Sequence, residues 1–89
     1  MEPVEIEIDG VLDLHHFHPR DAKNIVIDYL DACLERKIYQ VRIIHGKGTG
    51  TLRDMVHSAL KKHHRVKSFR LASEVGGSWG ATIVDLTQI

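Results

Sequence analysis

At 89 residues, with 43% apolar residues and one cysteine, the chain fits one small packed domain and excludes disorder and an internal disulfide. Its 12 Lys/Arg and 12 Asp/Glu cancel, yet residues 1–40 carry four cations against nine anions, and residues 41–70 carry eight cations against Asp54 alone. The basic half is where a polyanion could dock; the duller reading of Lys61-Lys62-His63-His64-Arg65 is a solvated face.

The predicted elements alternate between strand and helix. Val4, Ile6 and Ile8 alternate with acids, an edge-strand pattern that ends at Gly10 and sets residues 1–10 apart as an N-terminal extension to residues 11–89. Val11–His15 reads as a second strand, with Leu12 and Leu14 on one face and Val11, Asp13 and His15 on the other. Pro19 suits the first position of a helix whose stripe is Ala22, Ile25, Val26, Tyr29, Leu30, Cys33 and Leu34. Cys33 thereby reads as a small buried hydrophobe. A buried strand, Val41–His45, follows. Thr51 and Asp54 are spaced like an acidic capping box for a second helix with Leu52, Met55, Val56, Ala59 and Leu60 inward. Val66–Ala72 and Ala81–Leu86 complete the strands around the loop Ser73–Gly80.

The most informative stretch is His45-Gly46-Lys47-Gly48-Thr49-Gly50-Thr51-Leu52-Arg53. It joins a strand to a helix start, where glycines can expose backbone N–H groups and the helix dipole adds positive potential. That combination suits a phosphate. It is not a P-loop, because the order Gly-x-x-x-x-Gly-Lys-Ser/Thr is absent. Right-handed crossovers make the strands from Val11, Val41 and Val66 run the same way. Their C-terminal ends then share one edge, where ligands of open α/β sheets bind.

At that edge, His15 and His45 are the candidate acid–base pair for cutting a phosphodiester, since imidazole ordinarily titrates near neutrality. Asp13 is expected to orient a histidine, bind a divalent ion or position water. Gly46, Lys47, Gly48, Thr49, Gly50 and Arg53 are the expected phosphate holders, with Gly76, Gly77 and Trp79 lending contacts from the last loop. Trp79 either stacks on a base or packs over the sheet. His16 and His18 could join His15 around a metal, although the Cys/His spacing of a zinc site is absent. His57, His63 and His64 read as solvent-facing.

Leu12-Asp13-Leu14-His15, the His45–Arg53 stretch and Gly76-Gly77-Ser78-Trp79-Gly80-Ala81-Thr82 resemble, in order, the three signature motifs of the Smr (small MutS-related) domain, spanning residues 11–87. The resemblance implies a two-layer α/β sandwich with a mixed four- to five-stranded sheet and two main helices. In that respect it is similar to the C-terminal domain of translation initiation factor three. It also implies nucleic-acid binding, with endonuclease activity on DNA or RNA. Glycines and cations grip backbones, so structure-selective cleavage is expected, and Mg²⁺ or Mn²⁺ is a candidate cofactor. The alternative is a non-catalytic module that docks nucleic acid or the ribosome. Two departures stand out: His16 replaces the glycine usual after the first motif's histidine, and the third motif is one residue longer, the extra residue being Trp79. The acidic N-terminus lacks signal-peptide character and no apolar run reaches membrane-spanning length, so a cytoplasmic setting is expected.

Overall fold

Tyr29 fixes how the chain enters the sheet. In the computed structural model, which describes residues 7–72 and 80–88, its hydroxyl accepts from Gly10 N at 3.1 Å and donates to the Val11 carbonyl at 3.0 Å. The first strand, β1 (Val11–Asp13), starts there. It is shorter than the alternation predicts. The Asp13 side chain accepts from His15 N at 2.9 Å and starts a 3-10 turn over Leu14–His16. A short polar side chain that bonds its own backbone competes with the sheet ladder, and here it wins. His15 therefore leaves the strand, while Leu14 stays buried.

A second 3-10 turn, Pro19–Asp21, is capped by His18, whose Nδ1 accepts from Arg20 N at 3.2 Å. It leads into α1 (Ala22–Glu35), which buries Ala22, Val26, Tyr29, Leu30 and Cys33 as the periodicity requires. The helix ends in a Schellman arrangement: Ile38 N donates to the Cys33 carbonyl at 2.9 Å and Lys37 N to the Leu34 carbonyl at 3.1 Å. Lys37 occupies the left-handed position, at φ 60°, where glycine is usual.

Then come β2 (Gln40–Ile44), α2 (Thr51–Lys62), β3 (Val66–Leu71) and β4 (Ala81–Leu86). The sheet order is β1-β2-β4-β3. β1 pairs parallel to β2, and β4 runs antiparallel between β2 and β3. The first three strands thus point the same way, as expected, although β4 separates the third from its fellows. The two helices contact each other. Leu12, Ile43, Val41 and Val84 of the sheet form one core with Val26, Leu30, Val56 and Leu60 of the helices. This is a mixed four-stranded, two-layer α/β sheet among the described residues.

Of the predicted N-terminal edge strand, residues 1–6 lie outside the described residues, and Ile8 is not in a strand. The sheet face opposite the helices carries a row of Val11, Arg42, Ile83 and Arg70 in register. Beside it, Asp85 accepts from Gln40, Ser68 and Arg70. No described helix is long and apolar enough to cross a membrane.

Candidate active site at the glycine turn

The chain leaving β2 is clamped at once. His45 N and Gly46 N both donate to the Gly80 carbonyl, each at 2.8 Å, which ties the turn to the start of β4. Gly46 has φ +82°, and a β-carbon there would lie 2.8 Å from His15 Nε2. On the other side, a β-carbon on Gly80 would lie 3.1 Å from the Gly46 Cα. Only a bare backbone fits between His15 and β4. The short turn that ends β1 thus brings His15 onto the glycine turn.

His15 Nδ1 lies 2.9 Å from Asp13 Oδ1, with the His15 side chain 58% exposed. The hydrogen bond from His15 N, followed by the nearby imidazoles, holds the Asp13 carboxyl below the usual carboxylate range, against partial burial that raises it. His16 Nε2 stands 3.8 Å from the other Asp13 oxygen. His18, the other histidine weighed as a metal partner, is engaged in capping its own turn. Among the described residues, no three His, Cys, Asp or Glu side chains gather as a metal-holding group.

His45 is placed differently. It is 5% exposed, with Nδ1 2.9 Å from the Gly46 carbonyl and Nε2 2.9 Å from Thr82 Oγ1. Both ring nitrogens are engaged inside the protein, whereas the His15 ring reaches the surface. The two histidines expected as a matched pair meet at one turn but occupy unlike environments.

Lys47, Gly48 and Thr49 are exposed along the turn. Thr49 Oγ1 lies 2.9 Å from Thr51 Oγ1. The expected capping box does not form, because Thr51 is already helical. The cap is Gly50 at φ +89°, without a side-chain hydrogen bond to the helix. A β-carbon on Gly50 would lie 2.6 Å from Arg53 Nη2, so the guanidinium folds back over the turn. Lys47, Thr49, Arg53 and Pro19 help to line a hollow of about 280 Å³ beside the helix start. A wider hollow of about 480 Å³ lies on the sheet face opposite the helices, lined among the described residues by Arg42 and Arg70 without a histidine or acid. Of the candidate acid–base groups, His45 lines the smaller one, while Asp13 and His15 lie outside its described lining. Gly76, Gly77 and Trp79 lie outside the described residues.

Sequence reasoning missed His57 and His63. His57 is half-buried: its Nε2 lies 2.8 Å from Thr82 Oγ1 and its ring is 4.8 Å from that of Phe69. Burial first, then the neighbouring His45 and Arg53, lowers its pKa below the ordinary 6.5. The side chain of His63 is 5% exposed, and its Nε2 donates to Asp31 at 2.9 Å, joining the end of α2 to α1. The available signal for His57 was its place beside Val56 and three residues before Leu60, at the margin of the apolar stripe. Period two in β4 likewise puts Thr82 on the buried face with Val84 and Leu86.

The family model described as the Smr domain matches residues 12–87. The chain is 44% identical over 75 residues to the protein named Endonuclease MutS2 of Brevibacillus brevis, covering 84% of this chain and 10% of that protein. It is also 44% identical over 80 residues to the one of Pelotomaculum thermopropionicum, covering 90% and 10%. The chain therefore spans about a tenth of the length of these curated relatives. The crystal structure of the Smr domain of Thermus thermophilus MutS2 superposes with a TM-score of 0.79 at 34% identity, covering 86% of this chain and 96% of that one. YdaL, a stand-alone small MutS-related protein from Escherichia coli, superposes with a TM-score of 0.71 at 25% identity, covering 86% and 63%. With the match running through the first strand, the glycine turn and the last strand alike, this chain belongs to the Smr domain family.

Proposed function

We propose that this domain grips a nucleic-acid backbone at the glycine turn and cleaves a phosphodiester there, with His15 as the working base. The observation that carries this reading is the placement of the Asp13–His15 pair: Nδ1 faces the carboxylate at 2.9 Å and Nε2 lies directly over Gly46. A proton on Nδ1 leaves Nε2 as the nitrogen that takes the proton of an attacking water or hydroxyl as its oxygen bonds to phosphorus. The bond from phosphorus to the leaving oxygen breaks, and the imidazolium, stabilised by Asp13, returns the proton to that oxygen. Lys47, Arg53 and the open helix start oppose the charge on the phosphoryl oxygens. His45, buried with both nitrogens engaged, holds the turn rather than exchanging protons with substrate. The name Endonuclease MutS2, borne by the relatives, supports the same reaction class.

Glycines and cations grip backbones rather than read bases, so selection by nucleic-acid structure fits better than selection by sequence. The second reading, a docking module for nucleic acid or ribosomes, draws on His16, which stands 3.8 Å from Asp13 and competes for the carboxylate that orients His15. The test is a cleavage assay of the wild type, His15→Ala and Asp13→Asn on labelled single-stranded, duplex and branched DNA and matching RNA, with Mg²⁺, Mn²⁺ or EDTA. Cleavage that falls about 10²–10⁴-fold in His15→Ala with binding retained supports the proposal. Binding without cleavage by any protein supports docking. Equal cleavage by all three rejects His15.

A further inference from the structure

We propose that Thr82 and His57 are positioning residues for the glycine turn: the buried Thr82 hydroxyl links His57 on α2 to His45 and holds the His45 ring in the orientation from which its Nδ1–H grips the Gly46 carbonyl. The inference rests on the reading of this turn as the phosphate-holding element.

The direction of the chain follows from what each atom can do. A carbonyl oxygen only accepts, so the 2.9 Å contact between His45 Nδ1 and the Gly46 carbonyl places a proton on Nδ1. In the neutral ring, Nε2 then carries a lone pair and accepts the Thr82 hydroxyl proton across 2.9 Å. Thr82 Oγ1, its single proton committed, accepts from His57 Nε2–H across 2.8 Å. Each hydrogen bond in the chain from His57 through Thr82 and His45 to the Gly46 carbonyl thus points the same way. Thr82 is fully buried, so water does not stand in for its hydroxyl. The groups facing His57 are His45, Arg53, Asp54, Lys61 and the Phe69 ring. Burial together with cations that outnumber the one acid favours neutral His57, the form with Nε2–H as donor in this chain.

The consequence for the turn is geometric. Gly46 N is tied to the Gly80 carbonyl and Gly46 O to His45, so both sides of this residue are held. A trans peptide sets its N–H opposite its carbonyl, so a Gly46 carbonyl held toward His45 directs Lys47 N–H away from it. Without the Thr82 hydroxyl, His45 Nε2 loses its proton donor, the ring is held from the Gly46 side alone, and the Gly46–Lys47 peptide is held less firmly.

The test uses ¹⁵N-labelled chain. Ring-nitrogen NMR shifts of the wild type are expected to show His45 protonated at Nδ1 and His57 at Nε2 near pH 7.5. In Thr82→Val, the His45 ring-nitrogen signals and the Gly46 and Lys47 amide signals should move; Thr82→Ser should restore both. Affinity for a labelled oligonucleotide should fall about fivefold in Thr82→Val and recover in Thr82→Ser. Wild-type His45 protonated at Nε2, or Gly46 and Lys47 amide signals unmoved in folded Thr82→Val, overturns the inference. If the tautomers are as stated but neither protein binds nucleic acid, the positioning role of Thr82 stands and the phosphate-holding reading fails.

Discussion

His15 Nε2 sits so close over Gly46 that a β-carbon at that position would come within 2.8 Å of it. This contact joins the end of one strand to the turn that follows the next. It also makes residue 46 a sensitive probe of the proposed chemistry. Gly46→Ala would push the His15 ring aside and place a non-glycine residue at φ +82°. The backbone strain should cost about 1–2 kcal/mol. Because the colliding atom ends a movable side chain, the domain should still fold. Cleavage or binding should therefore fall far more than melting temperature does. A variant with wild-type activity would show that His15 does not work from this position.

Tyr29 is expected to matter for stability alone. Tyr29→Phe removes the acceptor of the buried Gly10 N–H and the donor to the Val11 carbonyl. An unsatisfied buried amide costs about 1–3 kcal/mol. For a domain of this size each kcal/mol lowers Tm by about 4–8 °C. Calorimetry of the variant checks this, and an unchanged Tm would show that water replaces the hydroxyl.

Lys37 offers the opposite sign. It holds φ 60° at the end of α1 with the Schellman hydrogen bonds already formed. Glycine adopts that conformation without a β-carbon penalty, so Lys37→Gly should stabilise the domain by about 1 kcal/mol. Urea unfolding measures it; destabilisation would mean that the lysine side chain contributes more than its backbone strain costs.

Acid should weaken the fold through His57. Its folded pKa lies below the ordinary 6.5, so between those values the unfolded chain takes up a proton that the folded chain refuses. Stability is therefore fully present above pH 6.5 and is lost as pH falls through the folded value. His57→Gln, which keeps an amide donor but cannot titrate, should lose less stability between pH 7.5 and 5.5 than the wild type. Equal losses, measured by urea unfolding, would remove His57 from the acid response.

Much of the architecture was legible because it is local. The stripe from Ala22 to Leu34 reports the face that α1 buries, and the alternation in β4 reports the inward positions of Thr82, Val84 and Leu86. The glycine turn could be read as a phosphate holder because glycine backbone freedom at a helix start is a property of the residues themselves. Tertiary structure decided what those patterns do not encode. It placed β4 between β2 and β3, because pairing depends on partners distant in the chain. It ended β1 at Asp13, where a side-chain hydrogen bond outcompeted the ladder and turned His15 toward Gly46. And it separated two histidines that look alike in sequence: His45 is enclosed between Gly46 and Thr82, while His15 stays at the surface beside Asp13. A residue type states which protons it can carry; only the surrounding fold determines whether solvent and substrate can reach them.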